Sequence, residues 1–282
     1  MTTNPTLDLD LGIGWRPEIA LTIDRRPDLG FVEVIAEHIN PDRTIPDALA
    51  NLLSRDVRII PHGISLSLGG ADPLDLRRVK HLARVAKRLN APLVSEHIAF
   101  VCAGGVEAGH LLPVSRTRAQ VDVLVDNVKR TQDLLPVPLA LENIAAYFEW
   151  PDAEMAEGEF VHEILDRTGA MLLLDASNVH ANARNLKTSA SAILDAMPLD
   201  RIAYLHVGGG VEGEDGFYHD THAHAVSRES LEIVEAVASR VVIPGTMVER
   251  DENFPPPAEI NAELDALAAA WNAGKRGSKV PS

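Results

Sequence analysis

The sequence predicts an α/β fold, a single (β/α)8 TIM barrel, and three observations carry that expectation. Short runs of Val, Ile, Leu and Ala alternate with helix-patterned segments from end to end, the pattern of repeated β-then-α units. Eight such units of roughly 35 residues suit a single (β/α)8 barrel, whose usual size is about 250 residues. Six of the apolar runs break on a metal-capable side chain: RIIPH at His62, PLVSEH at His97, PLALE at Glu142, MLLLD at Asp175, RIAYLH at His206 and IPGTMVE at Glu249. A parallel barrel builds its site at the C-terminal ends of its strands, and these breaks follow that rule.

Taken in order, strands are expected at Leu9–Trp15, Phe31–Ile35, Val57–His62, Leu93–His97, Leu139–Glu142, Met171–Asp175, Ile202–His206 and Val242–Glu249. Between them, Val121, Leu124, Val125 and Val128 follow helical spacing, as do Ile260, Leu264, Leu267, Ala268 and Trp271. Asp72-Pro73 reads as an N-cap followed by proline in the first turn. PLVSEHIAF and PLALENIAAYF are weakly alike, and each starts its strand with proline, where no ladder bond is lost. A doubly wound open sheet would also alternate β and α. It would want a Gly-rich phosphate turn after the first strand, and LGIGWRP has two glycines followed by proline. Gly69-Gly70 lacks the lysine and spacing of a P-loop and reads as a tight turn. No linker marks a boundary, so residues 1–274 are expected to form one barrel domain. Residues 275–282, KRGSKVPS, are expected to be a frayed basic tail.

Composition narrows the function. The chain has 282 residues, of which 46% are hydrophobic, enough for a large core. There are 41 acidic against 26 basic residues, a net charge of -15. Nucleic acids and anionic membrane surfaces attract cationic proteins, so neither is an expected partner. Cys102 is the sole cysteine, which excludes an internal disulfide and a thiolate zinc cluster. It has no evident base, and no Gly-x-Ser-x-Gly elbow is present, so nucleophilic hydrolysis is not the expected chemistry. The N-terminus lacks the form of a signal peptide and no apolar stretch reaches membrane-spanning length, so the expected location is cytoplasmic.

Three connections run long: FVCAGGVEAGHLLPV, YFEWPDAEMAEGEF and GGGVEGEDGFYHDTHAHAV, after strands four, five and seven. Long loops on one barrel face build sites or lids. A lone strand-end histidine is more often a hydrogen-bonded core residue than a ligand. Three of them, interleaved with Glu142, Asp175 and Glu249, make an uncompensated polar cluster unless cations join it. If the segment after strand seven is extended, Asp220, His222 and His224 share a side. Asp220 and His222 are the preferred ligands there, and His219 and His224 the expected surface residues. Asn178 can coordinate or orient a neighbour, and Asn143 is expected behind the ligands. Asp251 points with Glu249, and Arg250 points away into an ion pair. Glu33, Glu37 and His38 end strand two and are expected to shape the rim rather than bind metal. Nitrogen and oxygen donors without sulfur suit iron, manganese or zinc, and six to eight of them suit two or three ions.

GIGWRPEI, FVEVIAEH, HGISLSLGG, SEHIAF, LLPV, LENIAAYF, LLLDASNVH, LHVGG, DTHAHAV and VERDENFP together resemble the multinuclear non-haem iron-dependent oxidative enzymes, a family that includes the iron oxidase of methanobactin biosynthesis. The resemblance runs from about Gly12 to Pro255. It implies a xylose-isomerase-like TIM barrel with two or three irons, of mixed ferrous and ferric state, and dioxygen as co-substrate. It implies oxidative modification of a side chain, often cysteine, in a ribosomally made precursor peptide. It places the metal ligands on His62, His97, Glu142, Asp175, Asn178, His206, Asp220, His222 and Glu249, with Glu142, His206 and Asp220 carrying the chemistry and Glu142 bridging ions. A small separate partner protein is implied for presenting the peptide. Trp15, Phe100, Tyr147 and Phe217 are candidates to line the substrate channel. The chain departs from the family at Gly208-Gly209-Gly210, where Ala-Gly-His is common, at Val114-Ser115-Arg116-Thr117, where Leu-Pro-Tyr-Thr is common, and at Ser177, where Asn is usual. A divalent-metal sugar isomerase or phosphoesterase on a similar barrel is the main rival. The isomerase would want a lysine near the metals and the strand ends offer none; a phosphoesterase acting on nucleic acid would want a basic groove. A non-catalytic metal-dependent scaffold is the third reading.

Overall fold

The computed structural model describes residues 7–278. Eight parallel strands close a barrel in chain order: Asp10–Gly14, Leu29–Ile35, Arg58–His62, Val94–His97, Leu139–Glu142, Met171–Asp175, Ile202–Val207 and Gly245–Val248, the first pairing with both the second and the last. The expected α/β TIM barrel is the fold. The eighth strand is shorter than expected, because Val242 lies 70% exposed and Pro244 ends the approach by accepting from Leu9 and Asp10 backbone N–H groups.

Alternation along each strand explains the interior. Side chains two apart share a face, so every strand sends a column of residues inward. The lower inward positions carry Phe31, Ile60, Leu93, Ala140, Leu173, Tyr204 and Met247, which pack together as one cluster inside the barrel. Two residues later along the same strands come Glu33, His62, Ser95, Glu142, Asp175, His206 and Glu249, all buried. The barrel therefore has an apolar floor and a polar upper layer. Register brings some of these positions level and staggers others: His62 pairs with Ser95 and Asp175 with His206, whereas Glu33 pairs with Ile60, Glu142 with Leu173, and Glu142 also with His97, two residues beyond Ser95. The outward residues meet the helices in a second, larger apolar core.

The helices are capped by local chemistry. Leu76–Leu89 starts at Asp75, whose side chain accepts from the Arg77 N–H, and stops at Asn90 in a left-handed conformation. The expected cap at Asp72 is thus displaced by three residues; Asp72 instead accepts from the Gly105 N–H at 3.3 Å. Arg118–Gln132 is capped by Thr117, and its buried face includes Val121, Leu124, Val125 and Val128. The last helix, Pro257–Gly277, runs past the boundary expected at residue 274, and Lys275 lies 3.3 Å over the Trp271 ring. The rest of the expected tail, Lys279–Ser282, lies outside the described residues. Among the described residues no helix is long and apolar enough to cross a membrane.

Two of the long connections are β-hairpins. Phe100–Ala103 pairs with Val106–Leu112 through a two-residue turn at Gly104 and Gly105, both at positive φ, as such a turn requires. Gly210–Glu212 pairs with Tyr218–Asp220. Both hairpins stand at the end of the barrel where the strands finish.

Candidate metal centre

The upper layer of the barrel brings eight of the nine expected ligands into three overlapping groups. His62, His97 and Glu142 form the first; Glu142, Asp175, His206 and Glu249 the second; Asp175, Asp220 and His222 the third. Within each group one potential ligand atom per residue lies within 4.8 Å of every other. Glu142 belongs to two groups and Asp175 to two. In the first group His62 Nε2 is 3.2 Å from His97 Nε2, and Glu142 Oε2 lies 3.5 and 3.4 Å from the two nitrogens. In the second, His206 Nδ1 lies 2.8 Å from Glu249 Oε2 and 3.5 Å from Glu142 Oε1. In the third, Asp220 Oδ2 lies 2.7 Å from His222 Nε2.

Asn178, the ninth, is reached differently. Asp175 caps the helix Ala176–Asn185 by accepting from the Asn178 N–H at 2.7 Å, and the Asn178 amide donates to the Asn143 carbonyl at 3.0 Å. That leaves its side-chain oxygen as the end that could face a cation, and Asn178 lines the cavity above the centre. Asn143 stays behind the ligands, exchanging hydrogen bonds with the Asp175 backbone at 2.9 and 3.2 Å.

Four buried polar atoms in this layer have no hydrogen-bond partner: Glu142 Oε2, Asp175 Oδ2, His206 Nδ1 and Asp220 Oδ1. Orphaned buried atoms cost free energy, and four converging in one layer are out of keeping with an ordinary polar core. Electrostatics repeat the point. Burial and the Asp220 and Glu142 charges push the Asp175 carboxyl well above its ordinary range. Burial opposes ionisation of Glu142 too, yet His97 and His206 pull it down to about 2. Burial depresses the His97 imidazole, and Glu142 and Glu96 overcome this to hold it at about 9. The donor set fits divalent or trivalent cations: their charge would satisfy the four atoms and remove the need for carboxylates to share a dry layer with one another.

The segment carrying Asp220 and His222 is extended only as far as Asp220. It turns at His222, whose φ is 50°. Asp220 and His222 still meet, while His224 leaves the centre and bonds Thr221 Oγ1 at 2.7 Å. His219 bonds Asp215 and the Tyr147 hydroxyl instead. The turn needs Gly208 and Gly209. A Cβ on Gly208 would sit 2.6 Å from the His222 ring, and one on Gly209 2.1 Å from the His224 carbonyl. Ser177 reinforces it by donating to the Gly208 carbonyl at 2.8 Å. Ser115 and Arg116 tie the segment after the first hairpin to the loop after strand five, through Asp152, Glu149 and the Met155 carbonyl.

Several further polar residues belong to the layer. Glu33, expected at the rim, is 2% exposed and accepts from His206 Nε2 at 2.9 Å. Its companions do stay outside: Glu37 accepts from Ile64 N–H and Ser65, and His38 is exposed. The step from Phe31 to Glu33 repeats the apolar-then-polar inward step of the other strands, a legible signal. Glu96 accepts from the Leu66 N–H at 2.9 Å and from His97 Nδ1 at 3.1 Å. Asp251 accepts from His222 Nδ1 at 3.1 Å and pairs with the buried Arg16. Arg250 turns away to pair with Glu263, as expected.

Above the centre opens a cavity of about 640 Å³. Tyr147, Phe148 and Phe217 line it beside Leu111, Leu112 and Ile144; among the described residues no lysine or arginine does. Trp15 and Phe100 pack instead against the outer core.

Solved structures with the same architecture include a xylose isomerase domain containing protein from Salmonella typhimurium (TM-score 0.63, 13% identity, covering 96% of this chain and 100% of that one). An endonuclease IV from Thermus thermophilus is similar as well (TM-score 0.59, 17% identity, 93% and 99%). These likenesses establish the xylose-isomerase-like barrel alone. By sequence the chain is 50% identical over 266 residues to a UPF0276 protein of Streptomyces avermitilis, covering 92% of this chain but 54% of that one, so it spans about half that relative's length. It is 35% identical to a UPF0276 protein of Caulobacter vibrioides, covering 95% of this chain and 96% of that one. A family model described as RiPP precursor modification enzyme MbnB/TglH/ChrH matches residues 10–272. The chain belongs to that family of peptide-modifying enzymes.

Proposed function

We propose that this chain oxidatively modifies a side chain, often cysteine in enzymes of this kind, of a ribosomally made precursor peptide, using two or three irons and dioxygen. A small separate partner protein would present the peptide. The observation that carries the reading is the sharing of Glu142 and Asp175 among three ligand groups that contain four orphaned atoms. His62, His97 and Glu142 would hold one ion, Glu142, Asp175, His206 and Glu249 a second, and Asp175, Asp220, His222 and Asn178 a third, with Glu142 and Asp175 each serving two of these groups. The irons would supply redox equivalents and a binding place for dioxygen.

The rest is the work of the chain. The barrel floor of Phe31, Ile60, Leu173 and Met247 keeps water from below. Tyr147, Phe148 and Phe217 offer an apolar wall on which a peptide side chain can lie against the centre, and so fix its approach. Of the residues expected to carry chemistry, Glu142 and Asp220 line the cavity directly, whereas His206 is fully buried beneath them and can act only through the centre.

The test is to produce the protein in iron-supplemented cells, count metals per chain, and supply precursor and partner under air. Two or more irons per chain, oxygen consumption and a mass change in the peptide are expected. Less than one iron, with zinc in its stead, or turnover without oxygen, would overturn the reading.

A further inference from the structure

Beside the proposed ligands, and reaching down to the layer below, lies a set of polar side chains that they do not include. Glu33 comes from strand two, Ser95 from strand four and Tyr204 from strand seven; all three are at most 2% exposed. Tyr204 Oη lies within hydrogen-bond reach of both Glu33 Oε2 and Ser95 Oγ, at 2.5 and 2.7 Å. Ser95 Oγ lies 2.8 Å from His62 Nδ1, and Glu33 Oε2 lies 2.9 Å from His206 Nε2.

Counting hydrogens orients every bond. A carboxylate only accepts, and a phenol has one hydrogen. Tyr204 therefore donates to Glu33 and accepts from Ser95. Ser95 has then spent its hydrogen, so its oxygen accepts from His62, which must carry its proton on Nδ1. At the other end His206 must carry its proton on Nε2 to donate to Glu33. The two rings thus present opposite nitrogens to the centre: Nε2 from His62, facing His97 and Glu142, and Nδ1 from His206, facing Glu142 and Glu249.

We infer that Glu33, Tyr204 and Ser95 form one directional hydrogen-bonded chain that sets the tautomers of two metal-facing histidines at once, and that Glu33 is a positioning residue rather than a ligand. The inference rests on the metal-centre part of the proposed function and is independent of iron, dioxygen and peptide. Glu33 lies close enough to His62 and Glu249 to be read as a third ligand of that group. Its Oε2, however, is already engaged by two donors. Fixing the ring proton behind a ligating histidine raises its basicity and orients it, and losing that support typically weakens metal binding about 10- to 100-fold.

The probe is zinc, which is diamagnetic. Wild type, Tyr204→Phe, Ser95→Ala and Glu33→Gln are loaded with zinc, the ions per chain are counted, and affinity is read by competition with a chromophoric chelator. Histidine tautomers are read by nitrogen-15 NMR on histidine-labelled protein. Wild type is expected to show His62 bound through Nε2 and His206 through Nδ1. All variants should keep the wild-type zinc count. Affinity should fall about 10- to 100-fold in Glu33→Gln, with His206 no longer in a single tautomer. Ser95→Ala should release the His62 tautomer and leave that of His206, whereas Tyr204→Phe, which keeps the ring volume, should disturb both. Loss of one zinc in Glu33→Gln would make Glu33 a ligand and overturn the inference. So would unchanged tautomers and affinity in Tyr204→Phe and Ser95→Ala. Melting temperatures identify a variant that fails to fold, and the two conservative variants then decide the matter. Failure to bind iron or turn over peptide would count against the proposed function alone.

Discussion

At the residue scale, Glu142 has the most demanding position. It faces three imidazoles, His62, His97 and His206, each within 3.5 Å of one of its oxygens. One of those oxygens, Oε2, has no hydrogen-bond partner. Replacing Glu142 with glutamine keeps the shape and removes the charge shared by two ligand groups. Glu142→Gln is expected to lose at least one bound ion per chain, measured by elemental analysis, while the folded barrel persists by circular dichroism. Retention of the full metal count would show that Glu142 does not bridge. The sequence signal is most uneven at single residues. His62, His97, Glu142, Asp175, His206 and Glu249 announce themselves because each ends an apolar run. Glu33 shows only through its apolar-then-polar step from Phe31, Ser95 sits inside its run, and Tyr204 reads as one more strand aromatic. Their burial in one layer follows from strand stagger around the barrel, which a linear chain does not display.

At the element scale, the two hairpins and the loop after strand five form the walls of the cavity. Tyr147 donates to His219 Nδ1 at 3.0 Å, His219 Nε2 donates to Asp215 at 3.0 Å, and Tyr147 packs on Phe217. This small bridge joins the strand-five loop to the hairpin that carries Asp220. Tyr147→Phe is expected to speed amide hydrogen exchange across Gly210–Asp220 severalfold with little change in melting temperature, because the bridge is at the surface and local openings are independent of the core. Gly209→Ala acts on the same hairpin from its base. The added Cβ would strike two backbone carbonyls, those of His224 and Ala225, which have no cheap escape. A loss of about 1–3 kcal/mol in stability is expected, with weakened metal binding at the Asp220–His222 end. Equal stability and equal metal content would show that the turn is softer than its contacts imply. The hairpins themselves were not legible as such: GGVEAGHLLPV and GGGVEGEDGFYHD read as glycine-rich loops, because their pairing is set by the wall they stand on. The Gly104-Gly105 turn is the one local signal, since two adjacent residues at positive φ favour glycine.

At the scale of the whole molecule, the buried charges couple stability to pH and metal. In the metal-free chain His97 is held at about 9 against an ordinary 6.5. A group raised on folding stabilises fully below its unfolded value, and that contribution fades as pH rises through the folded value. Glu142 is lowered from 4.5 to about 2, so its contribution is present above 4.5 and fades as pH falls towards 2. Metal-free protein is therefore expected to be most stable between pH 4.5 and 6.5, and to melt lower at pH 9 than at pH 6. Metal reverses the sign. Ligating histidines and carboxylates must be deprotonated, so binding strengthens as pH rises, and the melting temperature gained on adding metal should widen from pH 6 to pH 9. Calorimetry with and without chelator checks both halves. A metal-free protein that grows more stable from pH 6 to pH 9 would mean that His97 is neutral in the folded chain.

The sequence by itself determined the barrel, because eight apolar runs separated by helical spacing leave few other ways to bury both faces of every strand. It also determined which residues stand at the strand ends, since the change from Val, Ile, Leu or Ala to His, Asp or Glu is written in the chain. Only the tertiary structure decided which of those residues meet. The closing of strand one onto strand eight and the stagger between neighbours place Glu33 beneath His206, put Asp175 within reach of both Asp220 and His222, and send Asp72, Trp15 and Phe100 to other duties. The physical reason is one of range. Alternation and capping act within a few residues, whereas the contacts of the metal centre join positions as far apart as Glu33 and His206, and those are set by how the whole sheet curves shut.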